Sequence, residues 1–155
     1  MTGGNTGKIG DIIAIPVQDG QFATAQILKK TKLLYLAVFS GLQEDLLDCN
    51  GIAEKSITLV GWTMDAKLYH GDWKIVGNCD LKEPNMLRRD YLIEYSGDQW
   101  VQDFDGNLVR IASDEDKRRL FPKSSYSPVR LERAIRAFNN IEPWSDDYND
   151  LLITE

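Results

Sequence analysis

The chain has 155 residues, 24 of them acidic and 18 basic, with a single histidine and two cysteines. That length fits one domain of about 100–200 residues, with a core large enough to need no disulfide or metal staple. Its 43% hydrophobic and 27% charged content excludes wholesale disorder. A formal charge of −6 argues against phosphate-backbone binding as the main task, because that work replaces counterions with a basic face. No run approaches the roughly 20 apolar residues that cross a bilayer.

Residues 1–9 read as a flexible leader without the apolar stretch of a secretory signal. Asp11 to Val17 is an apolar run, Asp19-Gly20 a tight-turn pair, and Gln21 to Leu28 the returning strand of a β-hairpin. Pro16 has no backbone donor, so the first strand must be an edge, end there or bulge. Leu33 to Phe39 is a third strand. Gln43 to Asp48 is short and helix-capable and is broken by Asn50-Gly51, after which Ser56 to Met64 and Trp73 to Val76 return to β-rich chemistry. Tyr91 to Tyr95, Trp100 to Phe104 and Leu108 to Ala112 follow, separated by Ser96-Gly97-Asp98 and Asp105-Gly106. Seven or eight closely spaced strands predict an antiparallel sheet or partial barrel.

The last quarter is helical. Ser113 caps a helix that opens on Asp114-Glu115-Asp116 and closes on Lys117, Arg118 and Arg119, the charge order that the macrodipole favours. Ser127-Pro128 opens a second helix over Val129 to Asn139, with Leu131, Ala134, Ile135 and Phe138 on one face and Arg130, Arg133 and Arg136 on the other. Beyond Pro143 the chain is an acidic tail, Trp144 to Glu155. The expected fold is α+β: a strongly twisted antiparallel sheet or partial barrel with the C-terminal helix packed on it, in one domain spanning residues 1–155.

Catalytic and metal motifs are thin. Gly3-Gly4-Asn5-Thr6-Gly7-Lys8-Ile9 lacks the spacing, the hydroxyl and the preceding strand of a phosphate loop. Asp103-Phe104-Asp105-Gly106-Asn107 fails as a calcium loop and reads as a hairpin turn. With one histidine, His70, the only conventional nitrogen and sulfur ligand set is His70 with Cys49 and Cys79, which are far apart in sequence; no metal and no cofactor is expected. Both cysteines are expected to be reduced in a cytoplasmic protein, although a bridge stays open. A Cys79–His70 dyad is the one candidate for a small hydrolase, and a structural thiol beside a half-exposed histidine is the simpler reading. Trp62, Trp73 and Trp100 fall in strands and are expected in the core.

Three stretches carry something more specific: Gly10-Asp11-Ile12-Ile13-Ala14-Ile15-Pro16 with Asp19 to Leu28; Asp72-Trp73-Lys74-Ile75-Val76-Gly77-Asn78; and the helix begun at Pro128 with Val129, Glu132 and Arg133. Together they resemble the immunity protein 26 family of bacterial polymorphic toxin systems. The resemblance implies a non-enzymatic cytoplasmic protein whose partner is a cognate toxin domain, with nucleases among the candidates, blocked by direct binding, with no nucleic-acid or membrane partner. The residues of the resemblance specify the fold more than the partner. The insert Lys82 to Asp98 and the acidic tail have no counterpart in it, and either could hold pair-specific recognition. In the tail, Asp146, Asp147 and Asp150 concentrate charge while Trp144 and Tyr148 offer aromatic anchors, so these five are the candidate partner-binding residues. The alternatives are a small β-barrel module for peptide or nucleic acid, and the Cys-dependent hydrolase.

Overall fold

Gly20, at φ +77°, reverses the chain between β1 (Asp11–Gln18) and β2 (Gln21–Lys30), which pair antiparallel from Ile12 opposite Gln26 to Gln18 opposite Gln21. The computed structural model describes residues 5–81 and 88–153. It shows an α+β chain in two compact units, Met1–Lys82 with Ser125–Glu155, and Glu83–Ser124.

In the first unit β3 (Leu34–Phe39), β4 (Ile57–Thr63) and β5 (Lys74–Asn78) join the hairpin in an open antiparallel sheet of order β4-β3-β2-β1-β5. Pro16 therefore sits in an interior strand, where two of the three expected accommodations apply, an edge left open locally and a bulge. It is tolerated because β5 pairs β1 only from Asp11 to Ala14, and because the β1–β2 register shifts between Pro16 and Gln18. One face of the sheet packs Ile13, Ile15, Ala25, Ile27 and Leu36 against Leu131, Ala134 and Ile135 of α4 (Pro128–Phe138). On the other face Ile12 and Phe39 meet Ile52 of α1 (Cys49–Ala53) in a smaller cluster.

Between β3 and β4 the structure corrects the sequence. The helix predicted over Gln43 to Asp48 is absent: Gln43 and Phe22 exchange backbone hydrogen bonds at 2.8 and 2.9 Å, and the Gln43 side chain accepts from Thr24 Oγ1 at 2.7 Å. The helix starts where this one was to end. Asp48 caps it by accepting from Gly51 N at 2.7 Å, so Asn50-Gly51 lies inside the first turn. A short helix that the sequence reading did not foresee, α2 (Ala66–Tyr69), precedes β5. The cysteines are corrected as well: Cys49 at the start of α1 and Cys79 just beyond β5 form a disulfide across Cα atoms 5.6 Å apart. Their 30-residue sequence separation hid a proximity that the sheet creates. Within the predicted leader, Lys30 Nζ donates to Thr6 Oγ1 and Gly7 O, both at 2.7 Å.

The second unit is a three-stranded antiparallel sheet, β6 (Tyr91–Tyr95), β7 (Asp98–Gln102) and β8 (Leu108–Ile111), followed by α3 (Asp114–Arg119). Ser96-Gly97, both at positive φ, closes the first hairpin. In the second, Asp103 Oδ1 accepts from Asp105 N and Asn107 N at 3.0 and 2.8 Å, which makes the acidic stretch a turn, as expected. Ser113 and Asp116 form the capping box of α3, while Leu92, Val101 and Ala112 supply the small core. Of the insert Lys82 to Asp98, residues 82–87 lie outside the described residues; the remainder contains β6.

Trp62 and Trp73 are buried as expected, and Trp100 is half-buried. Trp73 is the deepest, at 1% exposure, and its Nε1 donates to Glu132 Oε2 at 2.8 Å. Lys67 Nζ donates to the other carboxylate oxygen, also at 2.8 Å. Trp73→Ala is expected to cost about 3–5 kcal/mol through the cavity it leaves, and Trp73→Phe less, as it keeps most of the volume and loses the donor. Urea unfolding of the two variants measures both; equal stability of wild type and Trp73→Ala would contradict this packing.

Candidate functional site: the C-terminal aromatic face

The residues proposed from the tail lie on a short structure of their own. α4 begins where Ser127 Oγ accepts from Arg130 N at 3.2 Å with Pro128 behind the cap, and ends before Asn140, whose φ of +63° turns the chain. After Pro143, Ser145 caps a 3-10 helix over Asp146–Leu151. Leu151 at its end is buried in the main core, and Gly61 of β4 is the reason it fits. A Cβ at position 61 would stand 2.4 Å from Leu151 Cδ2. Leu152 then bridges to Leu59.

This anchoring sets out a row of rings. Trp144 meets Phe138 edge-on at 6.2 Å and Tyr148 at 5.4 Å, and Tyr148 lies 6.5 Å from Tyr126. The Arg130 guanidinium stands 4.2 Å above Tyr126 and 5.8 Å from Tyr148, and it donates to Asp147 O at 3.2 Å. Trp144 Nε1 donates to Asn149 Oδ1 at 2.9 Å. Trp144 and Tyr148 thus each keep one side on the core and one toward solvent.

The three carboxylates differ. Asp146 and Asp147 are exposed in the first turn of the 3-10 helix. Asp150 instead accepts from the Tyr126 hydroxyl at 2.5 Å, and the same hydroxyl lies 2.9 Å from Asp147 O. Burial, and next the Asp150 carboxylate, raise the Tyr126 pKa well above the ordinary phenol value. The structure therefore brings Trp144, Asp146, Asp147 and Tyr148 to one surface and gives Asp150 a positioning task beneath it.

Sequence reasoning missed Tyr126, Phe138 as a rim residue, and Arg130 as a participant. Arg130 did leave a signal: a cation in the first turn of a helix opposes the macrodipole and so points to a partner outside the helix. Glu132 also lay in view, three and four residues from Ile135 and Pro128 and hence on the buried side.

The Cys79–His70 candidate comes apart in this structure. The Cys79 sulfur is bonded to Cys49, which removes the thiolate a nucleophile needs, and His70 sits at the C-cap of α2 with its ring edge-on to Tyr69 at 5.0 Å. Among the described residues, no three His, Cys, Asp or Glu side chains converge as metal ligands would.

The chain is thus an α+β scaffold with two antiparallel sheets, whose C-terminal segment sets the exposed Asp146 and Asp147 beside the half-buried Trp144 and Tyr148. Residues 8–100 match the family model of immunity protein 26, and the chain belongs to that family. The match contains the β1–β2 hairpin and the Trp73 segment; α4, the third point of resemblance, and the aromatic face lie beyond it. No curated protein and no solved structure matches the chain.

The raised Tyr126 pKa gives a pH prediction. The folded state holds this proton more tightly than the unfolded state, so the stability it contributes is complete below the ordinary tyrosine pKa of about 10 and declines as pH rises above it. Denaturant midpoints between pH 9 and 11.5 are expected to fall less in Tyr126→Phe than in wild type. Parallel curves would contradict the assignment.

Proposed function

We propose that the protein neutralises a cognate bacterial toxin domain by binding it directly, with Trp144, Asp146, Asp147 and Tyr148 as the docking surface and Asp150 holding that surface in place. Family membership supports the toxin partner. What supports the location is the pairing of exposed carboxylates with half-buried rings on a segment tied to the core. A net charge of −6 suits a partner with a basic groove, such as a nuclease, because opposite charge speeds encounter. Protein binding alone accounts for this activity, and no nucleic-acid or membrane contact is needed. No helix among the described residues is long and apolar enough to cross a membrane.

The place of action in this proposal is the cytoplasm. Thiol pools there hold most cysteines reduced, so protection is expected to rest on the packed core and not to require the Cys49–Cys79 bridge. The double variant Cys49→Ser with Cys79→Ser is expected to protect cells as wild type does, while the purified protein loses about 2–4 kcal/mol relative to its oxidised form. Loss of protection at wild-type abundance would reopen a chemical role for Cys79.

Truncation after Pro143 is a poor test of docking, since it removes Leu151 from the core. Point variants separate the effects. Asp146→Asn with Asp147→Asn is expected to slow association with the cognate toxin domain and to flatten its salt dependence, with stability changed by no more than about 0.5 kcal/mol. Tyr148→Ala is expected to act on dissociation. Stopped-flow and surface-resonance kinetics read the two rates; if neither moves, docking is elsewhere.

A further inference from the structure

The second unit carries an open sheet edge. β6 is covered on its outer side, where Leu92 N donates to Phe121 O at 3.0 Å and Lys123 N to Leu92 O at 3.1 Å. In the first unit, β4 is met by bridges from Leu152 and Tyr126. Among the described residues nothing pairs with the outer side of β8. All four of its residues are exposed and three are apolar, with Val109 at 49% and Ile111 at 57%. Ala112 N donates to Gln99 O at 2.8 Å and Ile111 stands opposite Trp100. By the alternation of an antiparallel ladder, the Ile111 N–H and C=O then point away from β7. Natural sheets usually blunt such an edge with charge, proline or a covering segment. The one charge on β8, Arg110, is held by Asp116 at 2.8 and 3.1 Å.

The ends of β8 are acidic. Asp103 precedes it, its carboxyl held below the usual range chiefly by the Asn107 backbone N–H, and Asp114 and Glu115 follow it in the first turn of α3. Asp105 pairs with Arg88, and Lys117 and Arg118 lie at the far end of α3. Antiparallel pairing of two β8 strands would set Asp103 of each copy near Asp114 and Glu115 of the other, a like-charge arrangement that opposes self-association. We propose that the outer edge of β8 accepts an extended segment of a partner protein as a fourth strand, apolar along its middle and basic at both ends. β8 belongs to the second unit and the aromatic face to the first, and the proposal holds whether or not the toxin docks on that face.

The test uses the full chain and two synthetic peptides, KKTVTVTKK and EETVTVTEE. The lysine peptide is expected to bind saturably and to slow hydrogen exchange of the Ile111 amide by about tenfold or more, the glutamate peptide to do neither. Ile111→Pro, which removes the outward donor, is expected to abolish binding, and Ile111→Thr, which keeps it, to retain binding. Absence of saturation, equal binding of both peptides, or binding that leaves Ile111 exchange unchanged overturns the proposal. So does a concentration-dependent dimer in sedimentation that Ile111→Pro dissolves, since the edge would then belong to a second copy.

Discussion

A buried carboxylate organises the first unit. Glu132 is 8% exposed, and an ionised carboxylate at that depth is costly unless both oxygens are met. Trp73 meets one and Lys67 the other, so α2, the turn before β5 and α4 are held to a single point. An apolar residue at position 132 would pack with many rotations of α4, whereas two directional bonds accept few. With the helix so fixed, Leu131, Ala134 and Ile135 face the sheet, and Tyr126 and Arg130 at the helix entrance stand where the tail returns over them. Glu132 thus helps to hold the helix over whose entrance the aromatic face is built.

Local chemistry made much of the fold legible. Asp19-Gly20, the alternation in β2, the Ser113 capping box and Ser127-Pro128 each act within a few residues, and each appears where the sequence places it. Gln43 to Asp48 misled because helix propensity there is overridden by backbone bonds to Phe22, a partner distant in sequence. The disulfide was hidden for the same reason: only the finished sheet brings Cys79 beside α1. In the tail, composition revealed which residues carry charge and rings, but not that Asp150 is turned inward to a tyrosine hydroxyl.

The family match ends at Trp100, within β7, so the shared pattern covers the five-stranded sheet and stops short of β8, α3, α4 and the aromatic face. Core packing and hairpin turns restrain residues strongly, while an exposed strand such as β8 or an exposed Asp146 and Asp147 can change with little loss of stability. A scaffold held by its sheet can in this way carry different surfaces for different partners.

The seat that Gly61 leaves for Leu151 also has a kinetic side. β4 can pair with β3 early, since the two are near in the chain, but the hollow over Gly61 stays open to water until a residue from the far end arrives. Closing so long a loop is slow relative to forming the hairpins, and the exposed strip of β4 is in the meantime a site for chaperone capture or misassociation. Substitutions at Leu151 should therefore change how quickly the native state is left far more than how quickly the sheet first forms.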